Sequence, residues 1–343
     1  MRKIAFFQLE DWEREFLVTR GKTDGLDAQV VLGSDILRPE TVGQAADAEI
    51  ISVFVDSAVT KEILAKFSNL KMIATRSTGY DHIDLNACRE RGIVVSNVPS
   101  YGENTVAEYA FALILTLSRK VYDSYDRIRE TGSFNLDGLR GFDLKGKTLG
   151  VVGTGRIGKN VIRIAKGFEM EVIAYDPYPD NEAAETLGFR YVLLEELLAQ
   201  SKIVSLHVPL LPETTHLIND KSLELMASDA YLVNTARGGI VDTQALVRAI
   251  KTGQLAGAAL DVLEEEGTVK DELSFLTSEA PAKNPDLKTV LANHVLIDLP
   301  NVIVTPHNAF NTKEALERIM DTTVDNIKNY IAGQPTAVVP KHE

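Results

Sequence analysis

The chain has a single cysteine, no long hydrophobic run and too little positive charge to balance its acids. Each shortage excludes something. With Cys88 alone no internal disulfide can form, which fits a reducing cytoplasm. The longest apolar run, Tyr109 to Leu117, falls far short of the roughly 18 residues a membrane span needs, so no transmembrane helix is expected. After Met1 come two basic residues and one short apolar patch, but Glu10, Asp11, Glu13 and Glu15 follow at once, unlike a secretory leader. Lys and Arg number 36 against 49 Asp and Glu, a formal net charge of −13. Such a surface repels phosphate backbones and anionic membranes, which argues against a nucleic-acid or lipid-surface role; small anionic ligands must be caught by local positive charge. Metal-ligand spacing, internal repeats and low-complexity tracts are also missing.

What is present is ordinary globular composition, 25% charged and 45% hydrophobic over 343 residues, a length suggesting two domains. Ile4 to Phe7, Ile50 to Val55, Met72 to Thr75 and Ile93 to Ser96 read as strands between helical patterns, which predicts a parallel α/β layer. The pattern breaks at Pro99-Ser100-Tyr101-Gly102. A helix from Thr105 to about Arg119 follows, almost wholly apolar through its centre, so it is expected between two layers or facing another domain or subunit. Asp143 to Lys147 is a polar turn before a second series, with strands at Thr148 to Val152, Val172 to Tyr175, Ile203 to Leu206, Tyr231 to Asn234, Ala256 to Leu260 and Val302 to Thr305. Six strands separated by helices predict a doubly wound sheet. Gly267 to Asp298, with mixed polar residues and two prolines, reads as an irregular surface segment, and a last helix runs from about Thr312 to Ile331.

Gly153-Thr-Gly-Arg-Ile-Gly158 follows an apolar strand and opens a helix, Ile157 to Phe168; a second strand then ends in Asp176, about 18 residues beyond Gly158. The first glycine permits the tight turn, the second lets backbone approach a pyrophosphate, and the third lets helix and strand pack closely. The helix start adds free N–H groups and a positive dipole. Dinucleotide binding follows. Asp176 suits a ribose 2′-hydroxyl and repels a 2′-phosphate, and Pro177 and Tyr178 supply no cation, which points to NAD rather than NADP.

In this architecture ligands bind at the carboxyl ends of the strands. Arg237, in Asn234-Thr-Ala-Arg-Gly-Gly239, can grip a carboxylate through two parallel N–H bonds. His307, after Val302 to Thr305 and Pro306, is placed to give a proton to a carbonyl oxygen. His207, at the end of its own strand, is placed equally well, whereas His82, His216, His294 and His342 read as solvated. One of Glu264, Glu265 and Glu266 would hold an imidazolium ready to donate, and spacing alone does not say which. Asp261 lies closer to the strand end and could meet the cofactor instead.

Together, Gly153 to Gly158, Asn234 to Gly239 with Asp242, Ala259-Leu-Asp-Val262 and Pro306-His307 resemble the D-isomer-specific 2-hydroxyacid dehydrogenases over nearly the whole chain. Asn97-Val-Pro-Ser-Tyr101 leading to Val106-Ala-Glu108, Phe134 to Phe142, and Pro306-His-Asn-Ala-Phe310 look like that family's D-lactate branch. The resemblance implies that Arg237 binds the substrate carboxylate, that His307 donates the proton and that Glu266 pairs with it. It also implies that Thr105, Gly153, Gly155, Arg156, Ile157, Gly158, Asp176, His207, Val208, Pro209, Thr214, Thr235, Ala236, Arg237, Asp261 and His307 lie near NAD. Thr78 and Gly79 would offer backbone donors, with Tyr101 and Phe310 lining the pocket. Many relatives have proline after the glutamate where this chain has Gly267.

By the same resemblance, a flavodoxin-like substrate domain is assembled from residues 1–100 and 309–343, and a Rossmann NAD-binding domain, 101–308, is inserted in it. Crossings near Tyr101 and Asn308 would form a hinge whose closure excludes water. The expected reaction is hydride transfer to pyruvate or a close 2-oxo acid, in a homodimer without metal. Bulkier substrates such as phenylpyruvate or 2-oxoisocaproate are the alternative, because a methylene is worth only about 1 to 3 kcal/mol in such a pocket. Phosphoglycerate chemistry is disfavoured for want of an extra cationic cluster. A dinucleotide-sensing corepressor of the same fold is the alternative of a different class, against which the charge of −13 argues.

Overall fold

The computed structural model of the chain describes residues 2–19, 26, 28–270 and 286–339. It divides into two compact units, Met1–Tyr101 with Thr312–Glu343, and Gly102–Asn311. The chain thus returns to the first unit at Thr312, a few residues beyond the expected 309. His342 and part of the segment 267–298 lie outside the described residues.

In the first unit, β1 (Arg2–Phe6), β2 (Ala28–Leu32), β3 (Ile50–Val53), β4 (Met72–Thr75) and β5 (Val94–Ser96) form a parallel sheet in the order β2-β1-β3-β4-β5. Successive residues serve opposite faces. Ile4, Phe6, Ile50 and Met72 pack with residues of α1 (Asp11–Thr19) and of the C-terminal helix, Lys313–Ile331, while Ala5, Phe7, Ile51 and Ile73 pack with α2 (Lys61–Ala65) and α3 (Leu85–Glu90). A sheet covered on both sides needs strands that are apolar throughout, which is why these runs show as short continuous blocks. β2 is a strand more than the sequence pattern indicates. Cys88, on α3, is buried, and desolvation pushes its thiol up to about 12, so it is a core residue and not a nucleophile.

The second unit opens with α4 (Glu103–Arg119) and α5 (Val121–Thr131). Its strands are β6 (Thr148–Val152), β7 (Glu171–Tyr175), β8 (Arg190–Tyr191), β9 (Ile203–Leu206), β10 (Tyr231–Asn234), β11 (Gly257–Leu260) and β12 (Val302–Val304). All are parallel, in the order β12-β11-β10-β9-β6-β7-β8, so the expected six strands become seven. One face is covered by α4 and α6 (Arg156–Gly167), the other by α8 (Leu194–Gln200), α9 (Asp220–Glu224) and α10 (Thr243–Lys251); α7 (Asn181–Leu187) joins β7 to β8. The apolar centre of α4 is spent on its own sheet: Ala107, Ala110, Phe111, Leu113, Ile114 and Leu117 share one core cluster with β6 and α6. The segment expected to be irregular is partly helical, with α11 (Glu266–Lys270) and α12 (Leu287–Asp298), the latter capped by the Asp286 side chain on Lys288 N–H. Both prolines precede α12 and do not interrupt it. Among the described residues no helix is long and apolar enough to cross a membrane.

Candidate active site

Strand register in the second unit lines up one row of residues: Tyr175, Val152, Leu206, Asn234, Leu260 and Val304 are Cα partners in turn across β7, β6, β9, β10, β11 and β12. The next residue of each strand is Asp176, Gly153, His207, Thr235, Asp261 and Thr305. The sheet therefore brings the glycine turn, the acid of the second strand, both rival histidine segments and the arginine segment to one carboxyl edge, where a ligand binds in such a fold.

The glycine turn fits a dinucleotide on its own geometry. Gly153 has φ +94°, and a Cβ there would stand 2.7 Å from His207 O. At Gly158 a Cβ would stand 2.0 Å from Gly153 O, so only glycine lets α6 approach the turn, while Gly155 faces open space where a phosphate can come close to backbone. Arg156 and Ile157 begin α6. Asp176 Oδ2 accepts from Thr154 N (2.7 Å) and Thr154 Oγ1 (3.0 Å), and Oδ1 from Tyr178 N, which fixes the carboxylate beside the turn. Thr235 Oγ1 is buried without a hydrogen-bond partner at the same edge, an orphaned donor of the kind a bound ligand satisfies. Val208 is buried, and the Thr214 hydroxyl closes the following loop by donating to Pro209 O and accepting from Leu211 N. Thr105 is buried in the first turn of α4.

The histidines separate clearly. His207 keeps part of its surface exposed, but burial of the ring drags its pKa down to about 4, and Ser205 Oγ lies 2.8 Å from its Nε2. A ring that stays neutral is a poor proton donor. His307 Nδ1 stands 2.8 Å from Glu266 Oε1. Its backbone is held at φ +53°, an uncommon conformation for a side-chain-bearing residue. The holding group is Asp261. Its backbone O accepts from His307 N, and its carboxylate accepts from Thr305 Oγ1, Asn308 N and Ala309 N at 2.6 to 2.8 Å. Burial raises the Asp261 pKa against the lowering effect of those bonds. Its oxygens thus bind the histidine loop, a role that residue-by-residue reading missed. Phe310 sets its ring edge-on to His307, 6.4 Å between centroids.

Arg237 is half-buried and extended, with Nη1 donating to Ala236 O. Asn234 shapes that loop, its amide accepting from Ala236 N and donating to Arg237 O. Of the histidines expected to be solvated, His216 is exposed but not unpaired, and His82 is only half-exposed. His216 pairs with Glu264 Oε1 at 2.6 Å, and the half-buried His82 lies 3.1 Å from Thr75 Oγ1. His294 is exposed. Among the described residues no group of His, Cys, Asp or Glu is placed to hold a metal ion.

In the first unit, Thr78 and Gly79 follow β4 in a loop fastened by Thr78 Oγ1 to Val98 O and Ser77 Oγ to Gly79 O. Tyr101 O accepts from Arg318 Nε. Sequence reading passed over Arg76, which is fully buried beneath this loop's start. It donates to Phe7 O, Gln8 O and Ser52 Oγ and lies 3.3 Å from Glu13 Oε1. An arginine directly after the apolar run Met72 to Thr75 was the available signal.

Residues 111–309 match the family profile described as D-isomer specific 2-hydroxyacid dehydrogenase, NAD binding domain. The chain is 43% identical over 341 residues to D-lactate dehydrogenase kk1H of Curvularia clavata, covering 98% of this chain and 94% of that one. Among solved structures, D-lactate dehydrogenase from Aquifex aeolicus complexed with NAD and lactic acid is similar with a TM-score of 0.85 and 36% identity over 96% of each chain. D-2-hydroxyisocaproate dehydrogenase is similar at 0.82 and 30%, over 98% of this chain and 99% of that one. The chain belongs to the D-isomer specific 2-hydroxyacid dehydrogenase family and is an NAD-dependent oxidoreductase.

Proposed function

We propose that the chain is a D-lactate dehydrogenase, interconverting pyruvate and D-lactate. The observation that carries the chemistry is the His307–Glu266 pair at the end of β12, 2.8 Å apart, on the same edge as Arg237. When bound, the reduced dinucleotide supplies a hydride for C2 of the 2-oxo acid. Arg237 grips the carboxylate through its planar fork and so fixes the carbonyl. His307, with Nδ1 directed at Glu266, gives its proton from Nε2 to the carbonyl oxygen as negative charge develops there. Glu266 holds the ring in that orientation and stabilises the imidazolium before transfer. In the reverse direction the same nitrogen takes the proton from the hydroxyl. Thr78, Gly79 and Tyr101 are proposed as further substrate contacts, and Phe310 as a pocket wall beside His307.

The named relatives of the D-lactate type support pyruvate as substrate; the similarity to D-2-hydroxyisocaproate dehydrogenase supports a second reading, in which the preferred 2-oxo acid is bulkier. Following NADH absorbance with pyruvate, phenylpyruvate, 2-oxoisocaproate and phosphohydroxypyruvate distinguishes them. The highest kcat/KM is expected for pyruvate; a higher value for a branched or aromatic acid replaces the first reading with the second. No turnover of any would leave a sensing role. We further propose a homodimer working in the cytoplasm, where the lone thiol of Cys88 stays reduced. The surface proposed to meet the second copy is α5, whose Tyr122, Tyr125 and Ile128 are exposed together with Phe134 and Leu136.

A further inference from the structure

Outside the pair assigned to proton transfer, the second unit contains another histidine–carboxylate contact, His216 Nε2 to Glu264 Oε1 at 2.6 Å. We propose that these two are positioning residues: a clasp that holds the Arg237 loop and the Glu266 segment in the relation the reduction requires. The inference rests on the roles proposed above for Arg237, Glu266 and His307.

Glu264 is fixed from three directions. Its Oε2 accepts from Thr243 N at the start of α10, its Oε1 meets His216, and its backbone O accepts from Nδ2 of the fully buried Asn293 on α12. His216 is fixed as well, at φ +51°, with its N–H donating to Gly239 O and its own O accepting from Asn219 Nδ2. His216 therefore joins three segments: its side chain ties the loop after β9 to the acidic run after β11, and its backbone N–H ties it to the loop Arg237–Ile240. The last two are in direct backbone contact. A Cβ on Gly238 would stand 2.0 Å from Leu263 C and 2.4 Å from Glu264 N, so a movement of Glu264 is transmitted to the residue next to Arg237.

Between the two working glutamates Glu265 adopts φ +53°. That turn sends Glu264 to His216 and Glu266 to His307, two residues apart on one short run. With Glu264 drawn to His216, Glu266 is the carboxylate of the run that faces His307, its Oε2 accepting from Leu263 N. Groups that orient a reacting side chain in this way typically contribute 10- to 100-fold.

The test uses the full-length enzyme with NADH and pyruvate. Glu264→Ala is expected to lower kcat about 10- to 100-fold and raise KM for pyruvate, with the NADH dissociation constant within about twofold of wild type. Glu264→Gln, which keeps an acceptor for Thr243 N, should recover to within about fivefold. If Glu264→Ala does not fold, His216→Phe, on the more exposed partner, must still lower kcat by about threefold or more. Unchanged kcat and KM in the folded variants overturns the proposal. So does a fall that merely tracks the loss of NADH-binding sites. Failure of the underlying assignment is distinct, because then His307→Ala itself would remain active.

Discussion

At the residue scale the two histidines at the carboxyl edge make opposite predictions. His307 touches a carboxylate and is assigned the proton, so His307→Ala is expected to lower kcat by about 10²- to 10⁴-fold while NADH binding, by fluorescence titration, stays nearly intact. Survival of activity within a few-fold would remove His307 from the mechanism. Arg237→Lys keeps a charge and loses the fork, so KM for pyruvate should rise and kcat fall together. His207 instead is expected to couple stability to pH. Its folded-state pKa, about 4, lies below the unfolded value near 6.5, so between those limits the unfolded chain binds more protons and stability rises with pH. The contribution is complete above pH 6.5 and lost as pH falls toward 4; allowing for the exposed part of the ring, it amounts to about 2 kcal/mol. Urea unfolding at pH 7 and pH 4.5 checks this. Wild type should lose more stability than His207→Gln over that interval, and equal losses would assign the acid sensitivity elsewhere.

At the scale of elements, the sharpest requirement is the contact between α6 and the turn after β6. Gly158→Ala would drive a methyl to 2.0 Å from Gly153 O, so α6 must shift and its first-turn N–H groups move off the phosphate position. An NADH dissociation constant raised at least tenfold, with a lower melting temperature, is the expected result by titration and thermal unfolding; wild-type affinity would show the close approach to be dispensable. The glycines, β4, β6, β9 and β10 were legible because each is a short apolar block followed by a turn. β2 was not: it is a half-buried edge strand, and β8 has too few residues to show a period. α5 escaped notice because it has no buried residue, so no core stripe marks it. α12 was obscured by the prolines just before it. Within the site, Arg237 and His307 could be read as strand-end residues, whereas the choice of Glu266 depends on a left-handed turn at Glu265, and the work of Asp261 on a loop folded back from β12. Neither is encoded in spacing.

At the scale of the whole molecule, association is the question that composition and surface answer together. Of the two places expected for the apolar helix α4, between layers or facing a domain or subunit, it takes the first, in its own unit's core, and the exposed apolar side chains belong to the next helix. Tyr122, Tyr125 and Ile128 fall near one face of α5 and are 59%, 61% and 46% exposed, while Phe134 and Leu136 beyond it are 82% and 79% exposed. These exposed apolar side chains are the proposed interface, and a stable one needs about 800 Å² per partner. Opposing it, each chain carries −13, a repulsion that salt screens over about 10 Å at 0.1 M ionic strength. Light scattering coupled to size exclusion should therefore give a mass near twice 37.6 kDa at physiological salt, with dissociation favoured as salt is withdrawn. Tyr125→Asp combined with Phe134→Asp, each placing one more negative charge on the proposed dimer face, should give the monomer mass while leaving NADH binding in place. A wild-type chain that runs as a monomer at micromolar concentration, or a charged variant that remains dimeric, would move the interface away from α5.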